Sequence, residues 1–582
     1  MARSRCSVFA CALLLCACSA GGPSGGHSGE TAKSTSTADV LFHGGDILTL
    51  AGQEPSYADA LVVRGGRILF VGEETQALAL ASEQTELIDL DGRTLLPGFF
   101  DAHSHFLHTA IKLSTVNLDP PPAGVVTSIP ELQAQLAAEL REHPRLEGEW
   151  LFGWGYDNGM LRENRHPLKA DLDAVSRDIP IAIYHFSSHM VVLNSAGLEQ
   201  IGIGAESVAP PGGVIRRLDS SREPNGILEE QAILPVMQLL LGSAQGEKLT
   251  RLLDASQQLY LSQGFTTMTE MASAPANLDP LRRYADAGRL RADLVTTVLA
   301  VTQGAEATSK LYSRKYENRL RVGGGKINLD GGSPGRTAYL REPYVTQDEG
   351  VSASYRGYPS IADQDELNAM ISSFYELETP IFIHALGDAA IDQAAAAIAA
   401  AEGLFPREDI RTQLIHLQVF HDDQMDTLAG LDVTLSFQNT HNFYFADFHD
   451  KFTLGPKRTA RLCPMNSAHK RGFSVTFHHD SPVHPVSQLG LIWIATNRRS
   501  RSHRVYGPDE RITAYQALRA STIGAAYQWF EEDQKGTLEV GKLADLVVLS
   551  ANPLKVPVSD LAEIEVLQTF KEGKSVWMAS AP

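Results

Sequence analysis

The feature that most constrains this chain is the alternation of short apolar segments with helical patterns across its central part. Helical patterns such as DQDELNAMISSFYEL and GDAAIDQAAAAIAAAEG lie between several of the apolar segments. Eight strands interleaved with helices favour an α/β fold that closes into a (β/α)8 TIM barrel. The eight predicted strands span residues 98–102, 266–271, 294–300, 326–330, 380–385, 412–417, 433–438 and 474–480.

The two ends of the chain show a different pattern, in which short alternating strands are separated by glycine-rich turns. Residues 38–97 and 536–582 both have it, so we expect them to form one small β-sandwich around a barrel of residues 98–535. Residues 106–265 fall between the first two barrel strands and are too many for an unstructured loop. We therefore predict an inserted subdomain, which leaves the barrel at the face where barrel active sites lie and caps the site.

The first 37 residues have the pattern of a targeting segment. Two arginines precede the apolar run VFACALLLCAC, which is too short to span a bilayer. The run ends in LCAC, which resembles a bacterial lipobox and predicts a signal peptide over residues 1–18 with lipidation of Cys18. Ser19 after that cysteine predicts a lipid anchor in the outer membrane of a bacterial cell envelope, facing the periplasm. Residues 19–37 would be a flexible tether, and a plain secretory signal is the alternative.

The net charge and the cysteine content restrict the binding partners and the disulfide bonds that this chain can have. A net charge of −19 argues against nucleic-acid binding through a basic surface. Removal of the signal leaves Cys18 and Cys463, so acylation of Cys18 would leave no intrachain disulfide. We expect a small-molecule substrate, and a homo-oligomer is left open.

Histidines at the predicted strand ends indicate a metal site. His103 and His105, in LPGFFDAHSH, would lie on one face of a strand, and zinc favours imidazole ligands. Taken alone, the pair is weak evidence, because surface or hydrogen-bonding histidines are the commoner explanation of such a spacing. His384 and His416 end the fifth and sixth predicted strands, where a buried histidine is costly unless it has a partner. Because these strand ends meet at one rim, a shared metal site is favoured.

A series of ordered motifs along the mature chain resembles the amidohydrolase superfamily, and most closely its amidohydrolase 3 branch. The motifs are LPGFFDAHSH, WGYDNGMLRENRHPLKADLDAV, SSHMVVLNSAGL, KINLDGGSPGRTAYLREPY, FIHALGDAAID, HHDSPV and GTLEVGKLADLVVL. The resemblance implies a metal-dependent hydrolase that acts on a non-peptide C–N bond, of amide or N-formyl type.

The resemblance also implies roles for individual residues. It implies one or two divalent ions, with zinc expected, and five metal ligands: His103, His105, Lys326, His384 and His416. Lys326 would be carboxylated and bridge two ions, whereas an ordinary lysine beside a single ion is the alternative. Asp480 would shuttle the proton. A divalent ion polarises a carbonyl and activates water, and a carboxylate beside that water passes its proton to the departing nitrogen.

Further residues carry weaker predictions. His189, in the insertion, would contact substrate or else hold the insertion together. Arg336 and Tyr339 follow the Lys326 strand and would reach substrate oxygens, with structural pairing as the alternative. His441 would face the pocket or pack in its loop. His479 replaces the small hydroxyl residue that this branch usually has before the catalytic aspartate.

Other functions remain open at this point. The same scaffold supports ester hydrolysis or deamination, because attack by hydroxide is common to all three reactions. A lipoprotein that only binds a small molecule is another alternative. The proton shuttle predicted at Asp480 argues against it, because binding alone does not need one.

Overall fold

The computed structural model describes residues 38–146, 148–210, 212–346 and 351–580. The predicted signal peptide and tether, with Cys18, lie outside these residues. Within them, no helix is both long and apolar enough to cross a membrane. Strands are numbered along the chain, beginning with five that follow one another: β1 (Val40–Leu48), β2 (Tyr57–Arg64), β3 (Arg67–Gly72), β4 (Glu86–Asp89) and β5 (Thr94–Pro97). One short helix, Glu74–Leu78, joins β3 to β4.

The chain then forms one barrel strand, β6 (Phe99–Phe100), and enters the insertion. The insertion has its own six-stranded sheet in the order β11-β12-β10-β9-β8-β7. Its strands are β7 (Val116–Asn117), β8 (Leu151–Tyr156), β9 (Ile181–His185), β10 (Met190–Leu193), β11 (Gly213–Arg217) and β12 (Pro224–Glu230). Its helices are Phe106–Lys112, Ile129–Glu142, Lys169–Asp173, Ser195–Gln200, the 3-10 turn Gln231–Ile233, and Leu234–Gly242.

Seven further parallel strands complete the barrel sheet, in the order β19-β18-β17-β16-β15-β14-β13-β6. They are β13 (Phe265–Ser273), β14 (Asp293–Leu299), β15 (Leu320–Asn328), β16 (Ile381–Ala385), β17 (Thr412–His416), β18 (Val433–Phe437) and β19 (Ser474–Phe477). Every predicted strand is present in the predicted order, so the α/β barrel fold is confirmed.

Helices separate the barrel strands. They are Gly246–Ser262, Pro275–Asp286, Ala300–Leu311, Gln364–Glu376, Asp388–Leu404, Asp422–Leu428, Thr440–Tyr444, Ala446–Phe448, the π-helical turn His449–Thr453, Gly455–Thr459, Met465–Lys470, Gln488–Asn497, the 3-10 turn Pro508–Glu510, Ala514–Ala520 and Ile523–Gln528. The helix Gly246–Ser262 precedes β13 and packs against it. The chain has therefore returned to the barrel before residue 265.

Apolar side chains fill part of the barrel interior, and one polar side chain joins the first strand of the barrel to the last. Strand residues such as Phe100 and Phe382 pack there with Trp529, which follows the last barrel helix. Gln528 closes the seam, because its Nε2 donates to the carbonyl of Ala102 at 2.8 Å and its Oε1 accepts from Thr476 Oγ1 of β19 at 2.5 Å.

The chain ends where it began, in the sheet that contains β1. The last strands are β20 (Leu546–Leu549), β21 (Val566–Lys571) and β22 (Lys574–Met578), preceded by the 3-10 turn Val558–Glu563. The sheet order is β22-β21-β20-β5-β1-β2-β3, with β4 beside β1. Phe42 of β1 meets Phe570 of β21 edge to face at 5.1 Å, although two strands separate them in the sheet. A single curled sheet thus buries its own apolar face.

Candidate metal centre

The residues predicted to bind metal or transfer a proton lie together at the carboxyl ends of the barrel strands. Five of them are almost fully buried, and His105 is partly buried. The residues that meet there are His103 and His105 after β6, Lys326 on β15, His384 on β16, His416 on β17 and Asp480 after β19. Loops or strand ends at one rim supply all six, as barrel active sites require.

Asp480 is the residue around which the histidines gather. Its Oδ1 lies 3.1 Å from His103 Nε2 and 3.4 Å from His105 Nε2. Its Oδ2 lies 3.9 Å from His416 Nδ1 and accepts a hydrogen bond from Gln438 Nε2 at 3.1 Å. Burial alone would raise the pKa of Asp480, but the histidines outweigh burial and hold that pKa well below its ordinary value. The carboxylate is therefore ionised in this cluster.

Three of the four proposed histidine ligands are held in the neutral state that a metal ion needs, and the ring of the fourth, His105, is oriented by the backbone. His105 Nδ1 lies 2.9 Å from the carbonyl of Met271, which fixes the proton on Nδ1 and leaves Nε2 free toward Asp480. The rings of His384 and His416 are 4.3 Å apart. Burial lowers the pKa of His103, His384 and His416 well below the ordinary value. All three rings are therefore neutral, as metal ligands must be.

Lys326 points into the same cluster without a hydrogen-bond partner. Its side chain is almost fully buried, and its Nζ makes no hydrogen bond to any described residue. Burial lowers the pKa of Lys326 to about 7, although the charge of Asp480 opposes the shift. A substantial fraction of this amine is uncharged at neutral pH, which is the form that reacts with CO₂.

The donor set fits a divalent cation. Several buried nitrogens and oxygens of the cluster lack a hydrogen bond within the described ranges: both ring nitrogens of His103, Lys326 Nζ, His384 Nε2 and Asp480 Oδ1. Native proteins leave few such atoms unsatisfied. The ligand atoms of His103, His105 and Asp480 lie within 4.8 Å of one another. Imidazole nitrogens with a carboxylate oxygen are the donors that zinc and similar ions prefer.

Sequence reasoning missed His478, which belongs to the same cluster. Its Nε2 lies 3.1 Å from His416 Nδ1, and its Nδ1 accepts from or donates to Ser436 Oγ at 2.9 Å. His478 and His416 also form a group with His103 whose ligand atoms lie within 4.8 Å. The signal was present, because His478 stands two residues before Asp480 and a strand places such residues on one face.

Two buried carboxyl groups beside the centre were also missed. Asp330 accepts backbone hydrogen bonds from Leu386, Gly387 and Tyr339, and its Oδ1 lies 3.5 Å from His384 Nε2. Glu270, at the end of β13, is completely buried with Oε1 unbonded. Burial raises the pKa of each to about 7. Neither residue stands out in the sequence, because its partners come from distant segments.

His479 faces away from the cluster. Its Nδ1 accepts from the backbone N–H of Ser481 at 3.0 Å, and its ring packs beside Tyr260 and Phe265. The unusual histidine in HHDSPV therefore lies behind the strand, where it contacts the barrel's first helix, while Asp480 keeps its inward position.

A small cavity lies between the cluster and the insertion. It has a volume of about 30 Å³, which is room for one or two water molecules. The barrel contributes Gly332, Pro334, His384, Leu386, Gln438, His441, Asp480 and Val483 to its lining, and the insertion contributes Phe186, Ser187 and His189. A larger cavity of about 910 Å³ opens at the opposite end of the barrel, beside Val433 and Ser474, and includes none of the cluster.

Of the four residues with weaker predicted roles at the site, two line this cavity and two do not. His189 and His441 line it. Arg336 is not among its lining residues and donates to the backbone and side chain of Thr346, while the Oη of Tyr339 accepts from Arg356 at 3.2 Å. These hydrogen bonds favour the structural alternative for Arg336 and Tyr339.

Comparisons with known proteins agree with this geometry. Residues 86–577 match the sequence model of the Amidohydrolase family, Amidohydro_3. The N-substituted formamide deformylase of Arthrobacter pascens is 27% identical over 553 residues, which cover 93% of this chain and 98% of that protein. The putative amidohydrolase YtcJ of Bacillus subtilis (strain 168) is 28% identical over 555 residues, which cover 93% and 100%.

A solved structure shows the same architecture. The crystal structure of an uncharacterized metal-dependent hydrolase from Pyrococcus furiosus has a TM-score of 0.68 and 26% identity, covering 89% of this chain and all of that one. The fold and the site thus define a hydrolase that acts on carbon–nitrogen bonds. This chain belongs to the Amidohydrolase family.

Proposed function

We propose that this protein is a metal-dependent hydrolase that uses activated water to cleave a non-peptide C–N bond of amide or N-formyl type. The observation that carries the proposal is the convergence of buried, unbonded atoms of His103, Lys326, His384 and Asp480 at the strand ends. The similarity to an N-substituted formamide deformylase supports the bond type.

In this proposal, the histidines bind metal and Asp480 transfers the proton. His103, His105, His384 and His416 would hold one or two divalent cations, with Zn²⁺ as the proposed ion. When bound, such an ion polarises a carbonyl and lowers the pKa of its bound water toward roughly 7. Asp480 accepts the proton of the attacking water and delivers it to the departing nitrogen.

Lys326 is proposed to carry a carboxylate made from CO₂, which would bridge two ions. Its unbonded, buried Nζ supports this role because an ammonium group without a counter-ion is costly there. Intact-protein mass spectrometry in bicarbonate should show added CO₂ that is absent in Lys326→Met, with two metal ions per chain. One ion per chain with unmodified Lys326 would establish the single-ion alternative.

A substrate panel with metal analysis tests the function. We expect the zinc-loaded protein to hydrolyse N-formyl or N-acyl amides, and the His103→Ala/His105→Ala variant to lose both bound metal and activity. Preferential turnover of esters, or release of ammonia from an amino-substituted ring, would replace the proposal with esterase or deaminase chemistry. Tight ligand binding without turnover would show a binding lipoprotein.

We also propose that Cys18 carries a lipid that anchors the protein in the outer membrane, facing the periplasm. The lipobox-like LCAC and the polar stretch that follows it support this location. Radioactive palmitate should label the wild type and not Cys18→Ala; equal label would exclude the anchor.

A further inference from the structure

One histidine on the barrel side of the cavity belongs to neither the metal cluster nor the proton shuttle. His441 lies in the short helix Thr440–Tyr444, which follows β18, and it lines the cavity. Its side chain is almost fully buried, and its ring contacts those of Phe445 and His484, with centroids 5.1 Å and 5.9 Å away. These neighbours hold the ring at the place where substrate and water would meet.

A buried glutamine is bonded to the other side of this ring. The Oε1 of Gln418 accepts a hydrogen bond from the hydroxyl of Ser333, so the amide nitrogen is directed at two histidines. That nitrogen contacts His441 Nδ1 and lies 3.3 Å from His449 Nε2. An amide NH₂ group only donates, so both ring nitrogens accept. The remaining nitrogen of His449, Nδ1, then donates to Thr453 Oγ1 at 2.6 Å.

This network leaves an N–H donor on the side of His441 that is turned away from Gln418. Because Nδ1 accepts, the proton of the ring is on Nε2. No residue in the described part of the chain bonds Nε2. Burial lowers the pKa of His441 to about 3, although the charge of Asp480 opposes the shift. The assignment does not depend on the charge of the ring, because a protonated ring also carries a hydrogen on Nε2.

Other N–H groups of the barrel residues that line the cavity already have partners within the protein. They are Gln438 Nε2, which donates to Asp480, the backbone N–H of Gly332, which donates to Thr337, and the backbone N–H of Leu386, which donates to Asp330. The Nε2–H of His441 has no such partner. It is therefore available to a group of the substrate that enters the cavity.

On the basis of the proposed function, we infer that His441 donates a hydrogen bond from Nε2 to the carbonyl oxygen of the scissile amide. Attack by water forms a C–O bond, moves the π electrons of the carbonyl onto its oxygen and leaves the proton of the water with Asp480. The donor stabilises the negative charge on that oxygen, and a fixed donor of this kind contributes about 100-fold or more to kcat. Gln418 is a positioning residue, because it determines which nitrogen of His441 carries the proton.

A matched substrate pair tests the inference on the full-length, zinc-loaded protein. The pair is the amide with the highest kcat/KM in the substrate panel and its thioamide, whose sulfur is a weak hydrogen-bond acceptor. We expect His441→Phe to lower kcat/KM by about 100-fold for the amide and by less than about 5-fold for the thioamide. His441→Gln can place an amide N–H near the position of Nε2 and should stay within about 10-fold of the wild type, whereas the shorter His441→Asn should not. The control is His143→Phe, an exposed histidine of the insertion, which should leave both rates unchanged.

Nitrogen-15 NMR of histidine-labelled protein gives a second readout that does not depend on turnover. We expect a protonated Nε2 and an unprotonated Nδ1 for His441, with the signals assigned by their loss in His441→Phe. Gln418→Glu exchanges the donor for a carboxylate that only accepts, so the proton should move to Nδ1 and kcat for the amide should fall by about 10-fold. Metal content and circular dichroism establish that each variant is folded and loaded.

Two kinds of failure can be told apart. Equal losses on the amide and the thioamide, no loss, or a wild-type His441 protonated on Nδ1 alone would overturn the inference and leave the proposed function intact. If the wild type hydrolyses no amide in the panel, the proposed function is wrong and the inference falls with it.

Discussion

The two ends of the barrel bury charged groups in opposite ways. At the amino end, Asp293 opens β14 and accepts from Lys535 Nζ and Lys571 Nζ, each at 2.7 Å. Nearby, Arg321 donates to Glu531 at 2.6 Å. These groups satisfy one another and connect the barrel to β21 of the curled sheet. At the carboxyl end, equally buried groups keep unbonded atoms.

This difference indicates that the charged groups at the amino end stabilise the fold, whereas those at the carboxyl end form the reactive site. A buried ionic network whose members are all paired rigidifies the fold and has no atom left for a ligand. A buried cluster with several unpaired donors and acceptors is too costly to keep unless something else completes it. Metal binding and catalytic rate should therefore depend on the residues at the carboxyl end. Substitutions at the amino end should instead lower the free energy of unfolding.

The largest expected effect is at Asp480. Asp480→Asn removes the proton acceptor and keeps the shape, so we expect kcat to fall by about 10³-fold, or about 4 kcal/mol of barrier. Circular dichroism and metal content should stay at wild-type values. A kcat near that of the wild type would exclude Asp480 as the proton shuttle.

The next effect concerns the amino end. Asp293→Asn leaves two buried lysines underpaired and should lower the free energy of unfolding by about 3 kcal/mol, measured with urea. Because Lys535 and Lys571 outweigh burial and lower the pKa of Asp293, this advantage is complete above about pH 4 and declines as pH falls further. As control, Glu247→Gln, which removes an exposed pair with Arg251, should cost under about 1 kcal/mol.

Removal of the metal should affect the carboxyl end of the barrel and not the amino end. Zinc at about 100 times its Kd should add about 2.7 kcal/mol to the free energy of unfolding, and a chelator should remove that increment. Asp293→Asn should keep the increment, whereas His103→Ala/His105→Ala should lose it. An increment that survives the double histidine change would place the ion elsewhere.

The smallest expected effect is at Gln438, which orients the shuttle. Gln438→Leu removes its hydrogen bond to Asp480 Oδ2, so we expect kcat to fall by about 10-fold with unchanged metal content. Gln438→Glu, which places a like charge beside Asp480, should shift the pH profile of kcat, and an unshifted profile would show that the contact is only structural.

The sequence was most informative where the chemistry follows a local period. Strand alternation located the barrel strands, and the strand-end histidines gathered as expected around Asp480. Residues whose role depends on distant partners escaped prediction: Gln418 matters through His441, 23 residues later in the chain. Arg336 shows the converse, because its place after a catalytic strand suggested substrate contact while its backbone turns it toward Thr346.

The curled sheet has a consequence for how the chain is made. Arg67 donates to the carbonyl of Gly541, 474 residues away, and β5 pairs with β20. Domains generally fold from the amino terminus during synthesis, yet here β5 presents an open edge until nearly the whole polypeptide has emerged. A chain that stops before β20 would therefore leave this edge of β5 unpaired, and an unpaired strand edge is a site where chains aggregate.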